Sequence, residues 1–185
     1  MKREISDRNI LDKFVLDFCR VIEKHTDYII VSGFVAIASG RTRGTEDIDM
    51  IIPRTNFEKF GEIHNELIKN NFICMQSDNS KEIYEYLEEN MSIRYTNKDK
   101  PLPEMEVKFA KDKLDYLQLK TKIKLPLTGI DVWFSSINMN LAFKEEYLKS
   151  SKDIEDAEHL RTVYEELVNE TEINEIKKLI RELRL

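Results

Sequence analysis

The chain has 185 residues, 41% hydrophobic and 35% charged, with 29 basic against 35 acidic side chains and a net charge of −6. That length and apolar content support a buried core without staples and exclude the disordered and fibrous classes, while the two cysteines, Cys19 and Cys74, sit in apolar stretches without CxxC spacing and argue against a disulfide or zinc framework. No apolar run approaches the length of a membrane span, the first residues lack the apolar stretch of a secretory signal, and the acidic balance disfavours non-specific DNA binding, so a cytoplasmic protein without a membrane partner is expected.

In chain order, Ile10, Leu11, Phe14, Val15, Phe18, Val21 and Ile22 recur at helical spacing and predict an amphipathic helix over residues 7–25. The period then changes. Tyr28-Ile29-Ile30-Val31 reads as a buried strand closed by Ser32-Gly33, a short helix follows over 34–39, and Gly40 ends it. After a polar turn over 41–45, residues 47–52 resume strand character until Pro53. Thr55 or Asn56 caps the next amphipathic helix, whose apolar line is Phe57, Phe60, Ile63, Leu67 and Ile68.

Residues 72–75 and 92–95 read as strands on either side of a helix over 80–89, with a turn around Pro101 and Pro103. Met105, Val107 and Phe109 then alternate with Glu106 and Lys108, which predicts a half-buried strand. A basic helix over 111–120 and a hairpin-like pair, 123–127 with 130–134 around Gly129, precede a helical tail from about Asn138. Its apolar stripes are Ile154, Ala157, Leu160, Val163, Tyr164 and Leu167, then Ile173, Ile176, Leu179, Ile180 and Leu183. The expected fold class is α/β: a small mixed sheet flanked by helices over 1–136, with a helical C-terminal segment over 137–185 packed on it.

Three of the 5 glycines, Gly33, Gly40 and Gly44, cluster just before Asp47-Ile48-Asp49. A strand, Ser32-Gly33 and a helix place free backbone N–H groups where a phosphate can sit. Asp47 and Asp49, two apart on a strand, leave one face together while Ile48 and Met50 enter the core. Two such carboxylates call for a cation, and oxygen-only ligands suit Mg²⁺ or Mn²⁺ rather than zinc. Glu106, on the polar face of its strand, is the best third acid, with Glu104 on the same face as competitor.

Val31-Ser32-Gly33-Phe34-Val35-Ala36, then Gly40, Arg43, Thr45 and Asp47-x-Asp49, resembles the polymerase-β-type nucleotidyltransferase superfamily, in particular its small prokaryotic members: minimal, abortive-infection, antitoxin-like and lincosamide nucleotidyltransferases. The match is specific over residues 28–52. Further on, Lys144 and Lys152-Asp153-Ile154-Glu155-Asp156 are similar to the family's C-terminal lysine and Lys-Asp-x-x-Asp helix. One departure stands out: Ser32 occupies a position where the family usually has Gly.

The resemblance implies a metal-dependent transfer of a nucleoside monophosphate from a nucleoside triphosphate to a hydroxyl of a small molecule, a protein or a tRNA end. Asp47, Asp49 and Glu106 would hold the Mg²⁺ or Mn²⁺ ions, and Glu106 would help deprotonate the acceptor. Ser32 and Gly33 would bind the β- and γ-phosphates, with Lys144 or Arg43 offsetting their charge. The rival reading is a non-catalytic nucleotide-binding or antitoxin-type module acting through a partner protein, against which the intact acids speak. Asp153 and Asp156 read as orienting groups, the lysines at 108, 111, 113, 120, 122 and 124 as a solvated face open to an RNA acceptor, and His25, His64 and His159 share no ligand spacing.

Overall fold

A computed structural model describes residues 7–45 and 47–185. In chain order the elements are α1 (Asp7–Ile22), β1 (Ile29–Val31), α2 (Gly33–Ala38), β2 (Asp47–Ile52), α3 (Phe57–Lys69), β3 (Phe72–Cys74), α4 (Ser80–Glu88), β4 (Ile93–Asn97), β5 (Lys100–Phe109), α5 (Lys113–Lys120), α6 (Ile137–Phe143), α7 (Ser151–Val163) and α8 (Glu170–Arg184). A π turn, Lys144–Leu148, continues α6, and Lys149 in the left-handed region (φ 58°) stops it.

The strands form one mixed five-stranded sheet in the order β1-β2-β5-β4-β3, in which β2 and β5 run parallel and the other pairs antiparallel. Alternation gives the sheet two unlike faces. Ile48, Met50, Met105, Val107, Ile93 and Tyr95 are buried in the main core with Phe14 and Phe18 of α1 and Phe60 and Ile63 of α3. The opposite face carries a small apolar cluster, Ile29, Ile51, Ala110 and Leu119, and beyond it the acids. Both cysteines are buried and free. Among the described residues no helix is long and apolar enough to cross a membrane.

Local chemistry sets the boundaries. Asn56, one of the two expected caps, accepts from Lys59 N at 2.9 Å to start α3. Asp112 accepts from Leu114 N and Asp115 N, so α5 begins at Lys113 rather than at Lys111.

Two expectations are corrected. Pro101 and Pro103 lie inside β5, Pro101 on its exposed initial stretch and Pro103 where the strand becomes buried, and the chain reverses before them, after Asn97. The expected hairpin of 123–127 with 130–134 reduces to one bridge, Ile123 with Phe134. The second arm pairs instead beside β1, where Ile30 N donates to Trp133 O (2.8 Å) and Ser135 N to Ile30 O (3.0 Å), covering that sheet edge. In the tail Ala157, Leu160, Tyr164, Ile173, Ile176 and Ile180 are buried as the stripes predict, whereas Ile154, Leu167 and Leu183 are exposed.

Candidate active site

The parallel register of β2 on β5 sets Asp47 opposite Glu104, Asp49 opposite Glu106 and Ile51 opposite Lys108. Partners in register share a face, so both candidate third acids lie beside the Asp-x-Asp pair. On the other side of β2, Val31 stands opposite Asp49, and the chain leaves β1 directly into the Ser32-Gly33 turn.

That turn has an unusual backbone. Ser32 adopts φ 66°, ψ −137°, a region that glycine tolerates and L side chains rarely enter. The strain fits the departure noted above, a serine standing at a glycine position. Burial, with the charges of Glu106 and Asp47 adding to it, pushes the Asp49 carboxyl above its ordinary value, against the opposing pull of Lys108 and of the Ser32 hydroxyl. Thr45 Oγ1 lies 2.9 Å from the Asp47 carbonyl oxygen and 3.2 Å from its Oδ1, steadying the start of β2.

Gly33 opens the six-residue helix α2, all of whose residues are buried. A Cβ at residue 33 would meet the Arg43 guanidinium at 3.1 to 3.3 Å, so the space above this glycine belongs to Arg43. Arg43 in turn bonds Asp156 of α7 through Nη1. The same carboxylate, fully buried, accepts from Arg41 and from Lys144 Nζ at 2.9 Å, and Lys144 also lies 3.6 Å from Asp153. Three cations therefore surround Asp156. Buried charge is tolerated only when paired in this way. Helix α7 is fixed in place by Ser39 of the α2 end, whose Oγ lies 3.0 Å from Tyr164 Oη and whose carbonyl is 3.2 Å from His159 Nε2.

Between the sheet and the C-terminal helices lies a cavity of about 140 Å³, lined among others by Ser32, Asp49, Lys108, Asn140, Lys144 and Tyr147. Thus Ser32, Asp49 and Lys144 come together on one cavity. Arg43 does not line that cavity and is joined to Lys144 through the shared carboxylate of Asp156. Glu106 adjoins Asp49 but is engaged by Arg94 of β4, whose Nη2 lies 3.2 Å from Glu106 Oε2 and whose Nε lies 3.5 Å from Glu104 Oε2.

Oxygen donors in register on adjacent strands, with Asp49 burdened by like charges, suit a hard divalent cation. Their side chains are not drawn about one point: among the described residues, no three His, Cys, Asp or Glu side chains are gathered closely enough to hold an ion. Sequence reasoning missed Arg41 and Arg94. Arg94 could be assigned to the polar face from the alternation of Ile93 and Tyr95, but not to its acidic neighbours.

No family model matches the chain, and no curated protein is significantly similar to it. Solved structures are similar over nearly its whole length. The antibiotic-resistance factor ANT(2'')-Ia superposes with a TM-score of 0.58 at 14% identity, over 95% of this chain and 93% of that one. An antigenic nucleotidyltransferase-like protein from Paracoccidioides brasiliensis gives 0.56 at 20%, over 93% and 88%, and JHP933 from Helicobacter pylori 0.53 at 16%, over 97% and 77%. The fold is that of nucleotidyltransferases, as the resemblance of residues 28–52 implies.

Proposed function

We propose that this chain is a metal-dependent nucleotidyltransferase that moves a nucleoside monophosphate from a nucleoside triphosphate onto a hydroxyl acceptor. One observation carries the reading: Asp47 and Asp49 share a sheet face with Glu104 and Glu106, in register, beside the Ser32-Gly33 turn. When bound, Mg²⁺ or Mn²⁺ would supply the charge that clamps attacking and leaving oxygens at the α-phosphorus. Asp47, Asp49 and Glu106 are the residues to hold it.

The chain's own groups divide the remaining work. Ser32 and Gly33 bind the β- and γ-phosphates at the entry to α2, and the Lys144 and Arg43 cations, held in place by Asp156, offset the charge of departing pyrophosphate. Glu106, next to Asp49, takes the proton of the attacking hydroxyl. Burial of Lys144 and Asp156 excludes water from that side, which strengthens each interaction with the triphosphate.

The test is direct: incubation with Mg²⁺ and each α-labelled nucleoside triphosphate, in separate reactions with total tRNA, total cell protein and a panel of hydroxyl-bearing small molecules. The panel includes tobramycin, because ANT(2'')-Ia has been solved with adenylyl-2''-tobramycin. Label transfer by the parent, lost in Asp49→Asn, is the expected result. Triphosphate binding without transfer to any acceptor class would favour the non-catalytic, partner-binding module.

A further inference from the structure

Resting on that reading of Asp47, Asp49 and Glu106, we infer that Arg94 is a built-in counter-charge at Glu106 that competes with a divalent ion for that carboxylate. Ile93 and Tyr95 are buried in the core, so alternation turns Arg94 to the acidic face. The antiparallel register of β4 on β5 sets Arg94 opposite Glu106 and Thr96 opposite Glu104. A single row therefore crosses four strands: Val31, Asp49, Glu106, Arg94. Glu106 stands between a like charge and a guanidinium.

The contacts are those of an occupant rather than a distant neighbour. Nε and Nη2 of Arg94 lie 3.3 and 3.2 Å from the same oxygen, Glu106 Oε2, and Nε is 3.5 Å from Glu104 Oε2. The guanidinium thus bridges both candidate third acids, on the side of Glu106 away from Asp49 in the strand order. Its own exposure makes the pair reversible: the Arg94 side chain is 46% exposed, against 17% and 18% for Glu104 and Glu106. An ion pair with one half in water is weak and screened, and yields to a divalent ion held by several carboxylates.

A purely structural cross-strand pair would stabilise the sheet and leave ion binding alone. Competition makes a different prediction, because it sets the repulsion of a fixed positive charge against the ion. Mn²⁺ binding to the full chain without nucleotide, followed by electron paramagnetic resonance, reads this directly. Arg94→Gln is expected to bind Mn²⁺ about tenfold more tightly than the parent. Arg94→Lys, which keeps the charge, is expected to stay within about twofold of it. Equal or weaker binding by Arg94→Gln overturns the inference, as does an equal gain in Arg94→Lys, and both leave the proposed function standing. No Mn²⁺ binding by either parent or Arg94→Gln would remove the metal site itself, and the inference with it.

Discussion

The guanidinium of Arg43 lies so close over Gly33 that a Cβ at that glycine would meet it at 3.1 Å. The glycine keeps one of the three cations around Asp156 next to the turn where phosphates are proposed to bind. Gly33→Ala is therefore expected to push Arg43 aside. Losing a charge-assisted contact of about 1.5 to 3 kcal/mol lowers triphosphate affinity about tenfold or more. Isothermal titration with a circular dichroism check of folding measures it, and unchanged affinity in a folded variant would place the phosphates elsewhere.

Ser32 gives a test of strain. Its left-handed backbone costs about 1 to 3 kcal/mol, whereas glycine adds about 0.5 to 1 kcal/mol of unfolded-state entropy. Ser32→Gly is expected to raise stability by about 1 kcal/mol. Ser32→Ala keeps the strain, so it brings no gain. Equal melting temperatures for the two variants would show that the turn relaxes.

Asp156 holds three cations with a carboxylate that solvent does not reach. Removing one partner from a buried ion cluster costs about 3 to 5 kcal/mol, because the remaining charges stay desolvated. Asp156→Ala is expected to lose that much in denaturant unfolding, and the more peripheral Asp153→Ala about 1 kcal/mol. A small loss in Asp156→Ala would mean that Arg41, Arg43 and Lys144 swing out into water.

Glu145, in the π turn, clips α7 and α8 together by accepting from Arg161 Nε at 2.7 Å and Lys177 Nζ at 2.6 Å. Burial alone would raise its carboxyl, but these hydrogen bonds and charges outweigh burial and hold it below its usual value. A depressed carboxylate stabilises the fold above its unfolded pKa of about 4.3 and loses that contribution as pH falls through the folded value. Glu145→Gln is thus expected to cost about 2 kcal/mol at pH 7 and progressively less as pH falls below about 4.3, and urea titrations across that range check it. A pH-independent loss would assign the role to packing.

Local periodicity and turn chemistry made much of this protein legible from its residues. Alternation alone put Asp47, Asp49, Glu104 and Glu106 on polar strand faces, and the Ser32-Gly33 punctuation before the Asp-x-Asp strand marked the turn where phosphates are proposed to bind. These are short-range properties that side-chain direction and backbone sterics dictate within a few residues. Register between strands is not of that kind. That Asp49 stands beside Glu106, that Arg94 bridges Glu106 and Glu104, and that Lys144, Arg41 and Arg43 converge on Asp156 from segments more than a hundred residues apart at the extremes were decided by tertiary packing. The hairpin at 123–134 shrank to the Ile123–Phe134 bridge for the same reason: the Trp133 carbonyl and Ser135 N–H found partners on Ile30 of β1, and backbone polar groups go where they are satisfied.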